Sequence, residues 1–377
     1  MIAPGVRQPS HAPGHAFPVF LGILVIGGML VAWAFLAASP LGNESLSTPL
    51  PTIRPESVRS LAYVVPGRER DYLYVRSADG GSPRILDSFP TVSFANLHAR
   101  GAAAPTADRI AVLSVADPGK ASAQMTLVDL NGVGRQVPGV AFDYLSPLAW
   151  SADGQLVAGV LSQPASDGPG SGADVLVVNA LTGEAAVAAH FDNVFQVAPV
   201  GYSLDRERLF VVAIDQSGSV LWAIRNGKTQ KVAVLSTGRT RDWNLSPDGS
   251  RLAFVDIVPA GERRYAGRTL LIATGAVTDS ASTGNELGPA WMPGAQVPVF
   301  GGPGGSVRLN PPSTEGAYVV PASWAPDGTM LVATIYSASS DHSAPADESL
   351  ELVTSTSRVR LADEPGVRFL GWVHNIE

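Results

Sequence analysis

The chain has 377 residues, no cysteine and a formal net charge of −7. The absence of cysteine excludes disulfides, cysteine zinc sites, thiol nucleophiles and iron–sulfur clusters, and the acidic balance disfavours nucleic acid as a partner. The 39 glycines and 30 prolines argue against an all-helical protein, and the 45% of apolar residues argues against general disorder.

The first 57 residues predict a membrane attachment. Residues 17–38 read FPVFLGILVIGGMLVAWAFLAA and carry no charge. Such a run spans the hydrocarbon core as a helix, and we interpret it as a transmembrane signal anchor, with a cleaved signal peptide as the alternative. Residues 1–16 carry Arg7 and no acid, which favours a short cytoplasmic tail. Residues 39–57 contain four prolines and are interpreted as a linker.

From residue 58 onward a repeated unit predicts short β-strands. An apolar stretch, often with tryptophan, precedes a Ser/Ala-Pro/Ala-Asp-Gly turn and a second apolar run, as in 148–161, 243–257 and 323–336, and less clearly in 103–115 and 201–214. Proline, aspartate and glycine each favour a tight turn at such positions. The turn aspartates are Asp108, Asp153, Asp205, Asp248 and Asp327.

The repeat length predicts the blades of a β-propeller. The successive turn aspartates are 45, 52, 43 and 79 residues apart, and four-stranded blades take about 40–50 residues. The last spacing leaves room for a short blade at 288–309. The terminal sequence VRFLGWVHNIE matches an inner strand and is expected to complete the blade that begins at residue 58. We therefore predict an all-β, seven-bladed propeller over 58–377, with six blades as the alternative, preceded by one transmembrane helix.

The repeat resembles the TolB-like, WD40-like (PD40) β-propeller family. The resemblance rests on units such as LAWSADGQLVAGVL (148–161) and WNLSPDGSRLAFVDI (243–257), and it covers nearly all of 58–377. It implies an extracytoplasmic protein-binding module of a bacterial cell envelope. Related propellers precede the catalytic domain of some serine peptidases, but the chain stops where the propeller closes, so a peptidase is not expected.

No catalytic motif is present in the sequence. G-x-S-x-G, H-E-x-x-H and G-x-x-x-x-G-K are all missing, and the six histidines show no metal-ligand spacing. The chain is therefore interpreted as a protein that is not an enzyme and that needs no cofactor or metal. The turn aspartates and the recurring tryptophans are interpreted as structural.

Long, varied loops fall on one face of the predicted propeller, where binding is expected. They connect second and third strands and include 163–174 and 259–268, and the links between blades meet the same face. The candidate partner-binding residues of this face are Asp143, Tyr144, Arg239, Arg241, Asp242, Arg263, Arg264 and Tyr265.

These features predict a single-pass, membrane-anchored propeller that acts as a non-catalytic scaffold. Its expected partner is a protein or a cell-surface polymer. One alternative is a sensor or carrier that binds a small ligand in the central channel. The other is a propeller lyase or hydrolase.

Overall fold

A computed structural model describes residues 59–91, 97–115, 122–161, 172–258, 264–280, 284–303, 305–307, 317–337 and 348–374. All of them belong to one compact unit, Leu50–Glu377. The predicted tail, transmembrane segment and linker lie outside the described residues, and so does Arg263. Within the described ranges no helix is long and apolar enough to span a membrane.

The described residues form 27 strands. The first twelve are β1 (Ser60–Val65), β2 (Arg70–Ser77), β3 (Arg84–Pro90), β4 (Arg100–Ala103), β5 (Arg109–Ser114), β6 (Ser122–Asp129), β7 (Gly134–Gln136), β8 (Phe142–Asp143), β9 (Ala149–Trp150), β10 (Leu156–Val160), β11 (Ala173–Asn179) and β12 (Ala185–Phe191). The next eight are β13 (Gln196–Tyr202), β14 (Leu209–Asp215), β15 (Gly218–Arg225), β16 (Lys228–Ser236), β17 (Thr240–Leu245), β18 (Arg251–Ile257), β19 (Tyr265–Leu271) and β20 (Ala276–Asp279). The last seven are β21 (Leu287–Ala290), β22 (Val299–Gly301), β23 (Tyr318–Trp324), β24 (Leu331–Tyr336), β25 (Glu348–Val353), β26 (Arg358–Ala362) and β27 (Arg368–Val373).

These strands build an all-β propeller with six complete blades in the part of the chain that the structure describes. Five blades follow the chain as four consecutive antiparallel strands: β4–β7, β9–β12, β13–β16, β17–β20 and β23–β26. The sixth is composite and has the order β27-β1-β2-β3, and the short β8 adds to the blade that begins at β4. Continuous apolar runs bury both faces of the blades, as in β18, where Leu252 and Phe254 pack in one core cluster and Ala253 and Val255 pack in another.

The ring closes as the sequence predicts. β27 pairs antiparallel with β1, and Trp372 lies opposite Leu61. Gly371 adopts a φ of +148°, and a Cβ there would stand 2.5 Å from the Cβ of Ala103 in the next blade. Glycine therefore permits the close approach between the closing strand and β4.

A complete seventh blade is not confirmed. β21 and β22 form a two-stranded sheet, with β21 packed between β17 and β23. The Asn244 side-chain amide donates to the carbonyl of Pro289 at 2.9 Å, which fixes β21 to β17. Pro289 and Pro298 lack the N–H that a ladder needs, and glycines follow β22. This composition explains why both strands are short.

The repeated turns share one hydrogen-bond arrangement. In the blade that begins at β9, the Ser151 hydroxyl donates to Asp153 at 2.6 Å and accepts from the Leu156 N–H at 2.9 Å. Ser246 and Asp248 repeat it in the blade that begins at β17. Hydrogen bonds to these carboxylates keep each aspartate in a turn, as interpreted from the sequence.

The copy at 103–115 is aligned differently from the prediction. Ala104 N–H pairs with the carbonyl of Arg109 as Ser151 N–H pairs with that of Leu156. Thr106, and not Asp108, therefore takes the place of Asp153, and Asp108 accepts a hydrogen bond from Thr106 at 2.5 Å. Ala107 adopts a φ of +59° where Gly154 has +66°.

The tryptophans stabilise contacts between blades. The Trp150 indole N–H donates to the carbonyl of Ala102 at 2.9 Å, and Trp291 donates to that of Asn244 at 3.0 Å. Each bond joins an inner strand to the blade before it. Trp243 is an exception to the predicted common position, because it lies two residues before Leu245, and it is Leu245 that pairs with Leu252 as Trp150 pairs with Val157.

Candidate functional site at the channel mouth

The two ends of the inner strands differ. The inner strand of every sheet pairs on one edge with the next strand of its blade. At one end, here called the turn side, lie the Ser-x-Asp turns. At the other end, here called the mouth, the links between blades enter the inner strands and the loops between second and third strands return. The candidate residues of the sequence analysis that are described all lie on elements that meet at the mouth.

Three arginines occupy the same register at the mouth. Arg100, Arg241 and Arg368 pair with Leu113, Val255 and Val64. These partners lie three residues after Ile110, Leu252 and Leu61, which pair with Ala103, Leu245 and Trp372. In the blades that begin at β13 and β23 this position holds Ala198 and Val320. The arginines therefore stand at one height along the channel.

Arg100 braces the link that precedes β9. Its Nη1 donates to the carbonyls of Tyr144 and Leu145, both at 3.2 Å, and its guanidinium lies 5.7 Å from the centre of the Tyr144 ring. The Tyr144 hydroxyl donates to the carbonyl of His98 at 2.6 Å. Burial raises the pKa of Tyr144, against the lowering effect of Arg100 and Arg368. The backbone carbonyl and the side-chain hydroxyl of Tyr144 are thus both held by hydrogen bonds.

A buried carboxylate fixes the neighbouring link. Asp71, at the start of β2, accepts from the N–H groups of Ala99 at 2.6 Å and Gly67 at 3.1 Å. Its Oδ1 also lies 3.0 Å from His98 Nδ1. In the blade that begins at β13, Ser219 accepts from the N–H of Thr240 in the same way. Side chains at the start of third strands therefore position the entry of the next inner strand.

Arg241, Asp242 and Tyr265 form one group. Arg241 Nε donates to Asp242 at 3.0 Å, and its guanidinium lies 5.9 Å from the centre of the Tyr265 ring. Asp242 adopts a φ of +53° within the bulge of β17 and accepts from the N–H of Gly288 at 3.2 Å. Asp242 is therefore a link between two sheets as well as the ion-pair partner of Arg241.

A tyrosine pair lies between the arginines. The rings of Tyr318 and Tyr336 stack with centres 5.0 Å apart. Burial raises the pKa of Tyr336, and Glu348 and Tyr318 raise it further, while the positive charges of Arg368 and Arg241 lower it. Both arginines are therefore near enough to this ring to act on its hydroxyl electrostatically.

Arg368 also acts on Arg100. Burial lowers the pKa of Arg100, and the charge of Arg368 lowers it further, while Tyr144 and Asp143 raise it. Arg368 is exposed and has no hydrogen-bond or ion-pair partner in the described ranges. The mouth thus holds two neighbouring like charges, one braced and one open to solvent.

The remaining predicted residues lie around this group. Asp143 accepts from the Ser146 hydroxyl at 2.5 Å and from the Leu145 N–H at 3.1 Å. The Arg239 guanidinium lies 5.5 Å from the centre of the Phe195 ring. Arg264 and Tyr265 donate their N–H groups to Asn285 Oδ1. Of the predicted residues, the structure therefore brings Arg241 into contact with Asp242 and Tyr265.

The sequence analysis missed Arg100, Arg368 and the Tyr318–Tyr336 pair. A signal was present, since RGAA, RDWNL and RFLGW each place an arginine near the start of an inner strand. The three segments align only after the bulges in β17 and β27 are known.

The mouth offers hydrogen-bond donors and aromatic rings suited to an anionic, partly apolar ligand. Arginine presents several N–H donors to a carboxylate at once. Phe195 and Leu145 add exposed apolar surface, 45% and 66% exposed respectively. In the described part of the chain, no three histidine, aspartate or glutamate side chains are grouped as a metal site.

No known protein family and no curated protein matches the sequence. Solved structures do match. Acylaminoacyl peptidase from Pyrococcus horikoshii is 12% identical over 82% of this chain and 51% of its own, with a TM-score of 0.54. An oligogalacturonate lyase in complex with manganese is 14% identical over 80% of this chain and 91% of its own, with a TM-score of 0.52. TolB from Acinetobacter baumannii is 17% identical over 82% of this chain and 66% of its own, with a TM-score of 0.48.

Identities this low show the fold alone. The chain is a β-propeller. The propeller predicted from its repeats is thereby confirmed at the level of fold. The chain spans about half of the length of the peptidase, and the structures it resembles include a peptidase and a lyase. Its function must therefore be argued from its own mouth.

Proposed function

We propose that this protein is a non-catalytic docking module that binds a partner through the mouth of its propeller. The observation that carries the proposal is the placement of Arg100, Arg241 and Arg368 at one register, beside tyrosines, in a chain of net charge −7. Basic side chains concentrated in this way on an acidic protein favour specific binding to an anionic surface of a partner over nonspecific association.

The proposal includes attachment to a membrane. Residues 17–38 would form the transmembrane anchor, with 1–16 in the cytoplasm and the propeller on the extracytoplasmic side, joined by the linker 39–57. The β21–β22 sheet would be a reduced seventh blade, as its place between β17 and β23 suggests. The partner would be a protein or polymer within reach of that membrane.

The docking role can be tested by crosslinking in native membranes. Full-length protein would be crosslinked, purified and analysed by mass spectrometry beside Arg368→Glu and a matched Arg225→Glu control. Arg225 is an exposed arginine of β15 that pairs with Glu207, away from the mouth. We expect a specific partner that Arg368→Glu loses and Arg225→Glu keeps. Equal recovery with all three proteins would contradict docking through the mouth.

The anchor has its own test. Full-length protein is expected in the membrane fraction after a salt wash, and deletion of 17–38 should release it. A deletion variant that stays with the membrane would contradict the anchor while leaving the docking test intact.

A second candidate, a propeller lyase or hydrolase, is favoured by one observation. Asp71 Oδ1 lies 3.0 Å from His98 Nδ1, and an Asp–His pair is a common acid–base device. Asp71 also accepts two backbone N–H bonds, which a structural brace explains equally well. Turnover of an anionic oligosaccharide that is abolished by His98→Gln in a folded protein would favour the enzyme.

A further inference from the structure

The chain enters the propeller at the turn side. Arg59 precedes β1, and its Nη2 lies 3.3 Å from Asp79 Oδ1 in the turn between β2 and β3. The inner partner of β1, β27, ends beside this point, and the His374 N–H donates to the carbonyl of Ala107 in the turn between β4 and β5 at 2.9 Å. The residues before Arg59 are therefore joined to the turn side and not to the mouth.

The linker 39–57 limits the distance between the turn side and the anchor proposed above. An extended, proline-containing chain covers about 3.1 Å per residue, so this linker reaches about 60 Å at most. A tether of this length keeps the turn side at a high effective concentration near the lipid. The mouth lies at the other end of the strands, and the tether would have to pass around the propeller for the mouth to meet the membrane.

Basic residues mark the turn-side ends of the outer strands. Strands alternate in direction within a blade, so every outer strand begins at the turn side. Four outer strands carry a basic residue within their first two positions: Arg84 in β3, Arg135 in β7, Lys228 in β16 and Arg358 in β26. The outer edge of the turn side therefore carries positive charge on four blades.

Exposed apolar side chains adjoin three of these basic residues. Together they form a group, here called the rim, that consists of Arg84, Ile85, Val133, Arg135, Arg358 and Val359. Ile85, Val133 and Val359 are 52%, 66% and 42% exposed. The rim therefore combines positive charge with apolar surface that no described residue covers.

The apolar side chains are spread around the ring and are not gathered in a cavity. Beyond the rim, Leu181, Leu204 and Val297 lie in turns of the turn side and are 59%, 46% and 73% exposed. Six of the seven sheets formed by the described residues thus present an exposed apolar side chain at this end. Such a distribution suits a flat partner, and basic residues beside apolar ones are typical of surfaces that lie at lipid headgroups.

The acids near the rim are engaged within their own turns. Asp79 forms an ion pair, Asp129 accepts two N–H groups of its turn and Glu184 accepts a hydroxyl. In contrast, Arg84 and Arg135 donate to backbone carbonyls of the next blade and make no ion pair in the described ranges. Their charge is therefore available to an anion outside the protein.

The opposite ends of three outer strands are acidic. Asp192 follows β12, Asp279 ends β20 and Asp363 follows β26, and their side chains are 82%, 59% and 67% exposed. Each lies beside a basic side chain. The charge of the outer strands therefore favours the turn side over the mouth as the end that meets an anionic bilayer.

We propose that the turn side rests on the surface of an anionic bilayer, with Arg84 and Arg135 on lipid phosphates and the apolar side chains of the rim among the headgroups. This inference rests on the membrane attachment proposed above and names the surface of the propeller that meets the lipid. The mouth then points away from the membrane and stays open to a partner.

Single labels in a chain without cysteine can locate the end that faces the lipid. Val133→Cys places an environment-sensitive nitrobenzoxadiazole label on the rim, and Leu145→Cys places it at the mouth. Both side chains are 66% exposed, so the pair is matched in exposure. Full-length protein would be reconstituted in nanodiscs of phosphatidylcholine and phosphatidylglycerol that contain a spin-labelled lipid as quencher. We expect quenching at residue 133 and not at residue 145, and loss of that quenching at high salt.

Substitution of the rim arginines tests the charge. The quenched fraction of the label at residue 133 gives the ratio of docked to undocked propeller. Arg84→Gln/Arg135→Gln should lower this ratio by about 10-fold or more, because each basic residue near an anionic surface adds to binding. The matched mouth variant Arg241→Gln/Arg368→Gln should change it less than about twofold. If the rim variant fails to fold, as urea denaturation would show, comparison of the wild type in anionic and in pure phosphatidylcholine discs decides the same point.

Other outcomes would overturn the inference. Quenching at residue 145 in place of residue 133 would show that the mouth meets the lipid. Equal quenching at residue 133 in anionic and neutral discs would contradict a role of the basic residues. No quenching at either residue, in protein that stays in the discs, would overturn the inference and leave the anchor intact. Full-length protein that does not enter the discs would contradict the anchor itself, and the inference with it.

Discussion

The two ends of the inner strands use polar residues for different purposes. On the turn side, serine and aspartate repeat one arrangement in which each polar atom has a partner within the turn, as in Ser151 and Asp153. At the mouth, equivalent positions diverge: one arginine braces a link, one joins an ion pair and one is open to solvent. Under the function proposed above, the turn side contributes to stability and the mouth to recognition.

The largest effect on the free energy of unfolding is expected where β27 meets β4. Both the turn side and the mouth depend on this contact between the closing strand and the next blade. Gly371→Ala would add a Cβ 2.5 Å from that of Ala103 at a φ of +148°. We expect a loss of about 2–5 kcal/mol in the free energy of unfolding, measured by urea denaturation. Gly80→Ala is the matched control, since Gly80 also has a positive φ but nothing within 4 Å of an added Cβ. Equal losses in the two variants would show that backbone conformation alone, and not close approach, requires glycine.

The next largest loss of stability is expected from substitution of the turn-side aspartate Asp153. Asp153 pairs with Arg206 of the neighbouring turn and accepts from Ser151, and its side chain is 8% exposed. Asp153→Asn should lower the free energy of unfolding by about 1–3 kcal/mol, because it breaks a largely buried charged contact. Asp248→Asn, without an ion pair in the described part of the chain, should cost less in the same denaturation series. A larger loss at Asp248 would contradict a stabilising link between turns.

The same aspartate predicts the direction of the pH dependence. Burial raises the pKa of Asp153, but hydrogen bonds from Ser151, Gln155 and Arg206 outweigh it and place the folded-state pKa below 3.8. Its contribution is therefore complete above pH 3.8 and is lost as pH falls through the lower folded-state value. The stability difference between wild type and Asp153→Asn, followed by thermal denaturation from pH 7 downward, should shrink in acid. A stability difference that grows in acid would contradict a lowered pKa of Asp153 in the folded state.

The tryptophans test whether indole hydrogen bonds join the blades. Trp150 donates to Ala102, whereas the buried indole nitrogen of Trp324 has no partner in the described ranges. Trp150→Phe should therefore cost about 1–2 kcal/mol more than Trp324→Phe, because only the first breaks a hydrogen bond. Equal losses in the free energy of unfolding, measured by chemical denaturation, would show that both tryptophans stabilise the fold by apolar packing alone.

The smallest effect is expected at the mouth. Arg368→Gln should change the free energy of unfolding by less than about 0.5 kcal/mol, since Arg368 is exposed and makes no ion pair in the described ranges. Arg100→Gln, at the same register, should cost about 1–2 kcal/mol because it releases two carbonyls. Equal losses would contradict the separate roles assigned to these arginines.

The turn side could be predicted from the sequence more fully than the mouth. The Ser-x-Asp-Gly turns and the pairing of the terminal segment with residues after 58 were predictable, because turn chemistry is local and the repeat supplies the missing strand. The alignment of Asp108 and the extent of β21–β22 were not, since the first depends on Thr106 in place of the turn aspartate and the second on prolines that interrupt a ladder. The position of Trp243 was missed although the spacing shows it, because Trp243 lies three residues before Ser246 whereas Trp150 directly precedes Ser151.

The mouth was predictable only in part, again for a physical reason. Loop length and polar links pointed to the mouth end of the propeller, where Asp143, Tyr144, Arg241, Asp242 and Tyr265 lie. Arg100 and Arg368 were missed because RGAA, RDWNL and RFLGW align only when the bulges in β17 and β27 are known. Their common register is a property of the assembled sheets.

The closure by β27 also has a consequence for the order of folding. β1 carries buried apolar residues such as Leu61 and Val64, and its inner partner is the last strand that the structure describes. Until that strand is available, β1 keeps an unpaired edge, and the contact that covers it joins opposite ends of the propeller sequence. During synthesis from the N-terminus the first blade is therefore the last to be completed, and the emerging chain is exposed to mispairing until its final segment arrives.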